Sequence, residues 1–144
     1  MQSSLADSRW DLDLKFGKDG EQWVKMLGKE VKIEVKTERD KWHKTGNIFF
    51  EYSYRGRPSG LAVTKCDYWA TVLSLNDQKC GMFLFEINAL KQNLRLLLSE
   101  QDPSISRYVR KINGGDDMAS KGILVSLKIV WMLYTPLFSP VVVK

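Results

Sequence analysis

Histidine is almost missing from this chain: His43 is the only one in 144 residues. One imidazole cannot build a histidine metal cluster, and as a general base it would stand alone in a loop. Cysteine is nearly as scarce. Cys66 and Cys80 show no C-x-x-C or Cys/His spacing, which argues against a disulfide framework and a structural zinc site. Long apolar runs are lacking too. The longest, "IVWMLYTPLFSPVVV", is interrupted by Pro136 and Pro140 and is too short to span a bilayer. The opening "MQSSLADSRW" has no signal-peptide core, and there is no internal repeat or low-complexity segment. These absences predict a soluble, cytoplasmic protein with free thiols, unattached to a membrane.

What is present suits one folded domain spanning 1–144, with its core at about 10–128 and an apolar tail at 129–144. A hydrophobic fraction of 44% with 11% aromatics excludes a disordered chain. Against 17 acids stand 22 lysines and arginines, a net charge of +5 that favours a polyanionic partner without establishing one.

Periodicity then divides the chain. "RWDLDLKF" (9–16) alternates as a short strand. "KDGEQWVKMLG" follows as a helix, with Asp19 at its cap and Gly28 as its stop. "EVKIEVKTE" is a strand in which Val31, Ile33 and Val35 share the buried face, while Lys32, Glu34 and Lys36 share the other. "RDKWHKTG" is a basic loop, and "NIFFEYSY" a strand closed by the turn "RGRPSG". "TKCDYWATVLSL" is a helical turn begun by Thr64 that runs into a strand, "NDQKCG" a hairpin turn, and "MFLFEI" a central strand. "NALKQNLRLLLSE" is the longest helix, with Leu90, Leu94, Leu97 and Leu98 on one side. "SRYVRKINGGDDMASKG" is expected as a polar loop and "ILVSLKIVWML" as the last strand. The sum is an α+β fold with a mixed central sheet flanked by helices.

Glu34-Val35-Lys36 carries the chemistry. Residues two apart on a strand project from one face, so E-x-K delivers a carboxylate and an ammonium to one spot. A carboxylate suits a hard divalent cation, which takes one or two protein carboxylates plus substrate phosphate. A neighbouring lysine, a compact charge with three donors, can hold a water or a phosphate oxygen.

With its surroundings, the tripeptide resembles the PD-(D/E)xK nuclease superfamily. Within it, the chain is most similar to small phage-encoded endonucleases of the Holliday-junction resolvase type. The likeness rests on "GEQWVKMLG", "KIEVKTERDKWHKTGNIFFEY", "GRPSGLAVTKCDYW", "MFLFEINALK" and "INGGDDMASKGILVSL". It implies a restriction-endonuclease-like core, Mg2+ (with Mn2+ able to substitute) and a homodimer acting on branched DNA. Glu34 matches the metal-binding acid of the motif and Lys36 its lysine; Glu21 sits where such nucleases carry a helical glutamate. The family also expects an acid on a strand between that helix and the motif, and here only "KEVKI" intervenes. Glu51 and Asp13 (or Asp11) are the two replacements, with Glu51 preferred. DNA contacts are expected from Lys32, Lys41, Trp42 and Lys44, and from Arg55, Arg57 and Lys65.

Each of these residues has a plainer reading. Glu34 and Lys36 also fit a solvated, ion-paired strand face, and Glu21 a first-turn acid facing a helix dipole. Glu51 also fits a cross-strand pair with Lys32 or Lys36, and Trp42 an indole docked on the core. Arg107, Arg110, Lys111 and Lys121 either extend a basic surface or are merely solvated. "NGGDD" lacks both the P-loop lysine and the EF-hand spacing, so it is a turn. The leucine stripe is core or dimer face, and the stretch Trp131 to Val143 is a second candidate dimer face. The expected activity is metal-dependent DNA endonuclease. Its rivals are a sequence-specific restriction or homing enzyme on the same fold, and a DNA-binding protein whose nuclease site has decayed.

Overall fold

The computed structural model describes residues 31–115 and 117–134. The chain divides into two units between residues 31 and 32, and every described strand and helix belongs to the second, from Lys32 onward. The expected strand at 9–16, the helix at 19–28 with Glu21, and the candidate ligands Asp11 and Asp13 lie outside the described residues, as do Asp116 and the end of the tail from residue 135.

Among the described residues seven strands form two sheets, where the sequence leads one to expect a single mixed sheet. The first is mixed, in the order β1-β4-β5: β1 (Ile33–Arg39) runs parallel to β4 (Tyr68–Leu75), which pairs antiparallel with β5 (Gln78–Glu86). The second is antiparallel throughout, in the order β3-β2-β7-β6. Its strands are β2 (Asn47–Tyr54), β3 (Arg57–Pro58), β6 (Val109–Gly114) and β7 (Ser120–Ser126). With them among the described residues go the helices α1 (Lys41–Thr45), α2 (Ile87–Ser99) and α3 (Pro103–Ser106). The α+β class holds. No helix among the described residues is long and apolar enough to cross a membrane.

Local chemistry explains most of the boundaries. Asn76 and Asp77 both take positive φ and make the two-residue turn between β4 and β5. Arg55 and Gly56 do the same between β2 and β3. Helix α2 starts where the Glu86 carboxylate accepts the amides of Asn88 and Ala89. Its Leu90, Leu94 and Leu97 join Ile48, Phe50, Phe85 and Val125 in the core. Phe50 ties the two sheets together there, its ring 6.4 Å from Trp69 and 5.9 Å from Phe85.

Several expectations are corrected. The basic loop after β1 holds helix α1 over Lys41–Thr45, and "MFLFEI", as far as Glu86, lies in β5 at the end of the order β1-β4-β5 among the described residues, with β4 central. The polar stretch after Ser106 is no loop: β6 occupies Val109–Gly114 and pairs with β7. The last strand stops at Ser126, whose hydroxyl caps a 3-10 helix over Leu127–Leu133 by accepting the Lys128 amide. On β1 the faces are the reverse of those expected. Ile33 and Val35 are 46% and 58% exposed, whereas Glu34 and Glu38 are half-buried. The cause is position: among the described residues β1 pairs with β4 alone, and its charged face turns toward the cleft where the two sheets meet.

Candidate active site

Glu34, Lys36 and Glu38 follow one another along the inner face of β1. The Lys36 ammonium lies 3.1 Å from Glu34 Oε1 and 5.9 Å from the centre of the Trp69 ring. The second oxygen of Glu34 accepts the Thr64 hydroxyl at 3.0 Å. Both members of the pair keep substantial solvent access, so their attraction adds little to stability.

Glu38, two residues on, is not among the candidates that the motif supplies. It accepts the Phe49 amide at 2.8 Å and thereby links β1 to β2 of the other sheet. Burial pushes its carboxyl above the usual value, against the opposing pull of the Phe49 amide. The same period-two spacing that marks Glu34 and Lys36 would have found it.

Glu51 arrives from β2. There the register to β7 shifts between Glu51 and Ser53, leaving Tyr52 as the extra residue of a bulge. Its carboxylate accepts the Ser120 hydroxyl at 2.6 Å and that of Ser59 at 2.9 Å. Ser59 and Thr64 bracket one short turn, in which the Thr64 amide donates to the Gly60 carbonyl. Glu34 and Glu51, on different sheets, are therefore held by the two ends of a single turn. Gly60 makes that turn possible: its φ is +50°, and a Cβ there would collide with the Glu51 carbonyl oxygen.

Lys36, Glu38 and Glu51 open on a cleft of about 770 Å³ where the two sheets meet. Trp69, Phe49 and Leu124 supply apolar wall; Arg39, Lys41 and Arg110 supply positive charge, and Asp40 a third acid. Gly114 and Gly122 leave room for the Phe49 ring beneath it.

Of the remaining candidate contacts, Lys41 lines this cleft and the others do not. Lys32 has an exposed side chain, while its backbone amide and carbonyl are both engaged by Asp67. Trp42 donates its indole N–H to the Ser74 carbonyl at 2.7 Å, a docking contact that fixes α1 to β4. Lys44, Arg57 and Lys65 are exposed, and Arg55 is engaged by Asp117 at 3.5 Å. Arg39 and Asp40, at the cleft, are not among the sequence candidates, and Arg110, read there only as one of several surface cations, joins them because the fold sets residues of β6 and β1 on one cleft.

Among the described residues, no group of three or more His, Cys, Asp or Glu side chains is arranged to hold a metal ion. The donors that are present are carboxylate oxygens, which suit a hard cation such as Mg2+ and not a soft one. Lys36 neutralises Glu34, so a cation there requires further negative charge from a substrate phosphate or another acid. Glu34 and Glu51 each offer carboxylate oxygens of the kind Mg2+ takes, Glu51 from the lining of the cleft and Glu34 from beside Lys36.

Compared with protein-family models, with curated proteins and with solved structures, the chain finds no match.

Proposed function

We propose that this protein is a metal-dependent DNA endonuclease of the PD-(D/E)xK type, acting on branched DNA in phage recombination or repair. The observation that carries the reading is the Glu34–Lys36 pair, 3.1 Å apart on one strand face, at the edge of a cleft that also holds Glu51 and three further cations. A solvated ion pair needs no cleft beside it.

In this reading Glu34 and Glu51 would hold Mg2+; Asp13, the alternative to Glu51, and Glu21, the acid expected to complete the set, lie outside the described residues. Bound Mg2+ would lower the pKa of a water and offset charge on the phosphate. Lys36 orients the attacking water or a non-bridging phosphate oxygen with its ammonium donors. Arg39, Lys41 and Arg110 hold the flanking backbone. The water oxygen bonds to phosphorus as that water gives up a proton to solvent, the phosphorus–O3′ bond breaks in line with it, and the leaving oxygen takes a proton from solvent. The products are a 5′-phosphate and a 3′-hydroxyl. Paired nicks across a junction need two such sites, which calls for a symmetric homodimer.

The test is incubation of the protein with a labelled four-way junction and a matching linear duplex, in Mg2+ and in EDTA. Metal-dependent cutting of the junction alone is the expected result. Cutting of the duplex at one sequence favours the restriction or homing alternative. Salt-sensitive binding with no cutting in Mg2+ or Mn2+ favours the non-catalytic one.

A further inference from the structure

Beside the cleft lies a smaller pocket of about 270 Å³ whose lining carries three cations, Arg107, Arg110 and Lys128, and no acid. Among the described residues none of the three forms an ion pair. Tyr108 gathers two of them: the Arg107 guanidinium stands 4.8 Å from its ring centre and the Lys128 ammonium 5.5 Å. The backbone under the pocket is fixed from both sides. The Ser126 amide donates to the Tyr108 carbonyl at 2.8 Å, and the Leu127 amide to the Gly46 carbonyl at 2.7 Å. Arg110 lines this pocket and the larger cleft alike, as do Thr45, Asn47 and Leu124, so the two adjoin.

Three like charges gathered around one small concavity, with no carboxylate to offset them, repel one another. The arrangement is relieved when an anion enters. That the pocket adjoins the cleft across four shared residues points to a chain of anions passing from one to the other, which is the character of a nucleic-acid backbone and not of an isolated phosphate. We infer that Arg107, Arg110 and Lys128 form a second docking site for the phosphodiester backbone, holding the strand that extends beyond the candidate cleavage site. The inference rests on the nucleic-acid reading of the cleft, but not on its catalysis. Contacts of this kind position the duplex arm and carry no sequence information.

The experiment uses the full chain with Arg107→Ala and Lys128→Ala combined, both side chains being exposed and outside the core. Binding to the labelled junction and duplex is measured in EDTA across a range of salt. Losing two phosphate contacts should lower the slope of log K against log salt by about 2 and weaken binding roughly 10- to 60-fold near 0.1 M salt. The charge-preserving pair Arg107→Lys with Lys128→Arg should keep the parental slope. An unchanged slope in the alanine variant overturns the site, as does an equal fall in the charge-preserving one. So does a loss confined to anionic phosphatidylglycerol vesicles while DNA binding persists. The two readings fail separately. DNA bound with the expected slopes but never cut removes the nuclease and leaves this site standing; a cut junction with unchanged slopes does the reverse.

Discussion

The Phe49 amide donates to Glu38 Oε1 at 2.8 Å, joining the strand of the E-x-K pair to the sheet that carries Glu51. That carboxylate sits in a largely desolvated position, and burial raises its pKa above 4.5. Glu38 therefore holds its proton to a higher pH in the folded protein than in the unfolded chain. Its contribution to stability is present below the unfolded value and is lost as pH rises through the raised folded one. Glu38→Gln keeps an acceptor for Phe49 and never ionises. Its stability relative to the parent should improve between about pH 4 and about pH 8, measured by urea unfolding at both. A gap that does not move with pH contradicts the desolvated carboxylate.

Lys36→Ala should lower junction cutting in Mg2+ by roughly 10²–10³-fold, the usual cost of losing one positioned donor, while binding in EDTA changes little. Because the ion pair it breaks is half-exposed, the melting temperature should stay close to the parental one. Full activity in this variant removes Lys36 from the site.

Ser120 is buried and its hydroxyl meets Glu51 at 2.6 Å. Ser120→Ala should cost about 1–3 kcal/mol in equilibrium unfolding, since one carboxylate oxygen loses its donor in a part-buried place. Glu51→Gln tests the chemistry separately. If Glu51 is a metal ligand, this variant's cutting should require more Mg2+ than the parent needs, and Asp13→Asn should leave that requirement alone. The opposite pattern assigns the role to Asp13.

Gly60→Ala puts a Cβ against the Glu51 carbonyl at a φ that other residues adopt with strain. About 1–3 kcal/mol of stability should be lost, with a larger effect on cutting than on DNA binding. Thr64→Ala leaves the turn's backbone alone and should cost less than about 1 kcal/mol.

The secondary elements that the sequence marks plainly are those with a strong local signal. "NIFFEYSY" alternates cleanly and is β2 over Asn47–Tyr54. The leucine-striped helix lies within one residue of expectation, starting at Ile87 where the Glu86 carboxylate caps it. β6 is hidden because Arg110 and Lys111 make a strand look like a solvated loop; only pairing with β7 reveals it. Alternation locates β1 but assigns its faces wrongly, since the apolar row of a strand that pairs on one side only among the described residues need not be the buried row. The same split applies to the site. Glu34 and Lys36 follow from spacing alone, and Glu38 could have. Arg110 reaches the cleft because the two sheets meet there, and the Ser59 and Ser120 hydroxyls reach Glu51 through the turn after β3 and the pairing of β2 with β7, which no local spacing encodes.

One turn fastens two carboxylates from separate sheets, through Ser59 at one end and Thr64 at the other. It acts as a caliper. A displacement that carries the turn bodily moves Glu34 and Glu51 in step and preserves the gap between them, whereas flexing it around Gly60 opens or shuts that gap. Tolerance to change at this position should therefore follow the curvature of the segment from Ser59 to Thr64 more closely than the chemistry of either acid.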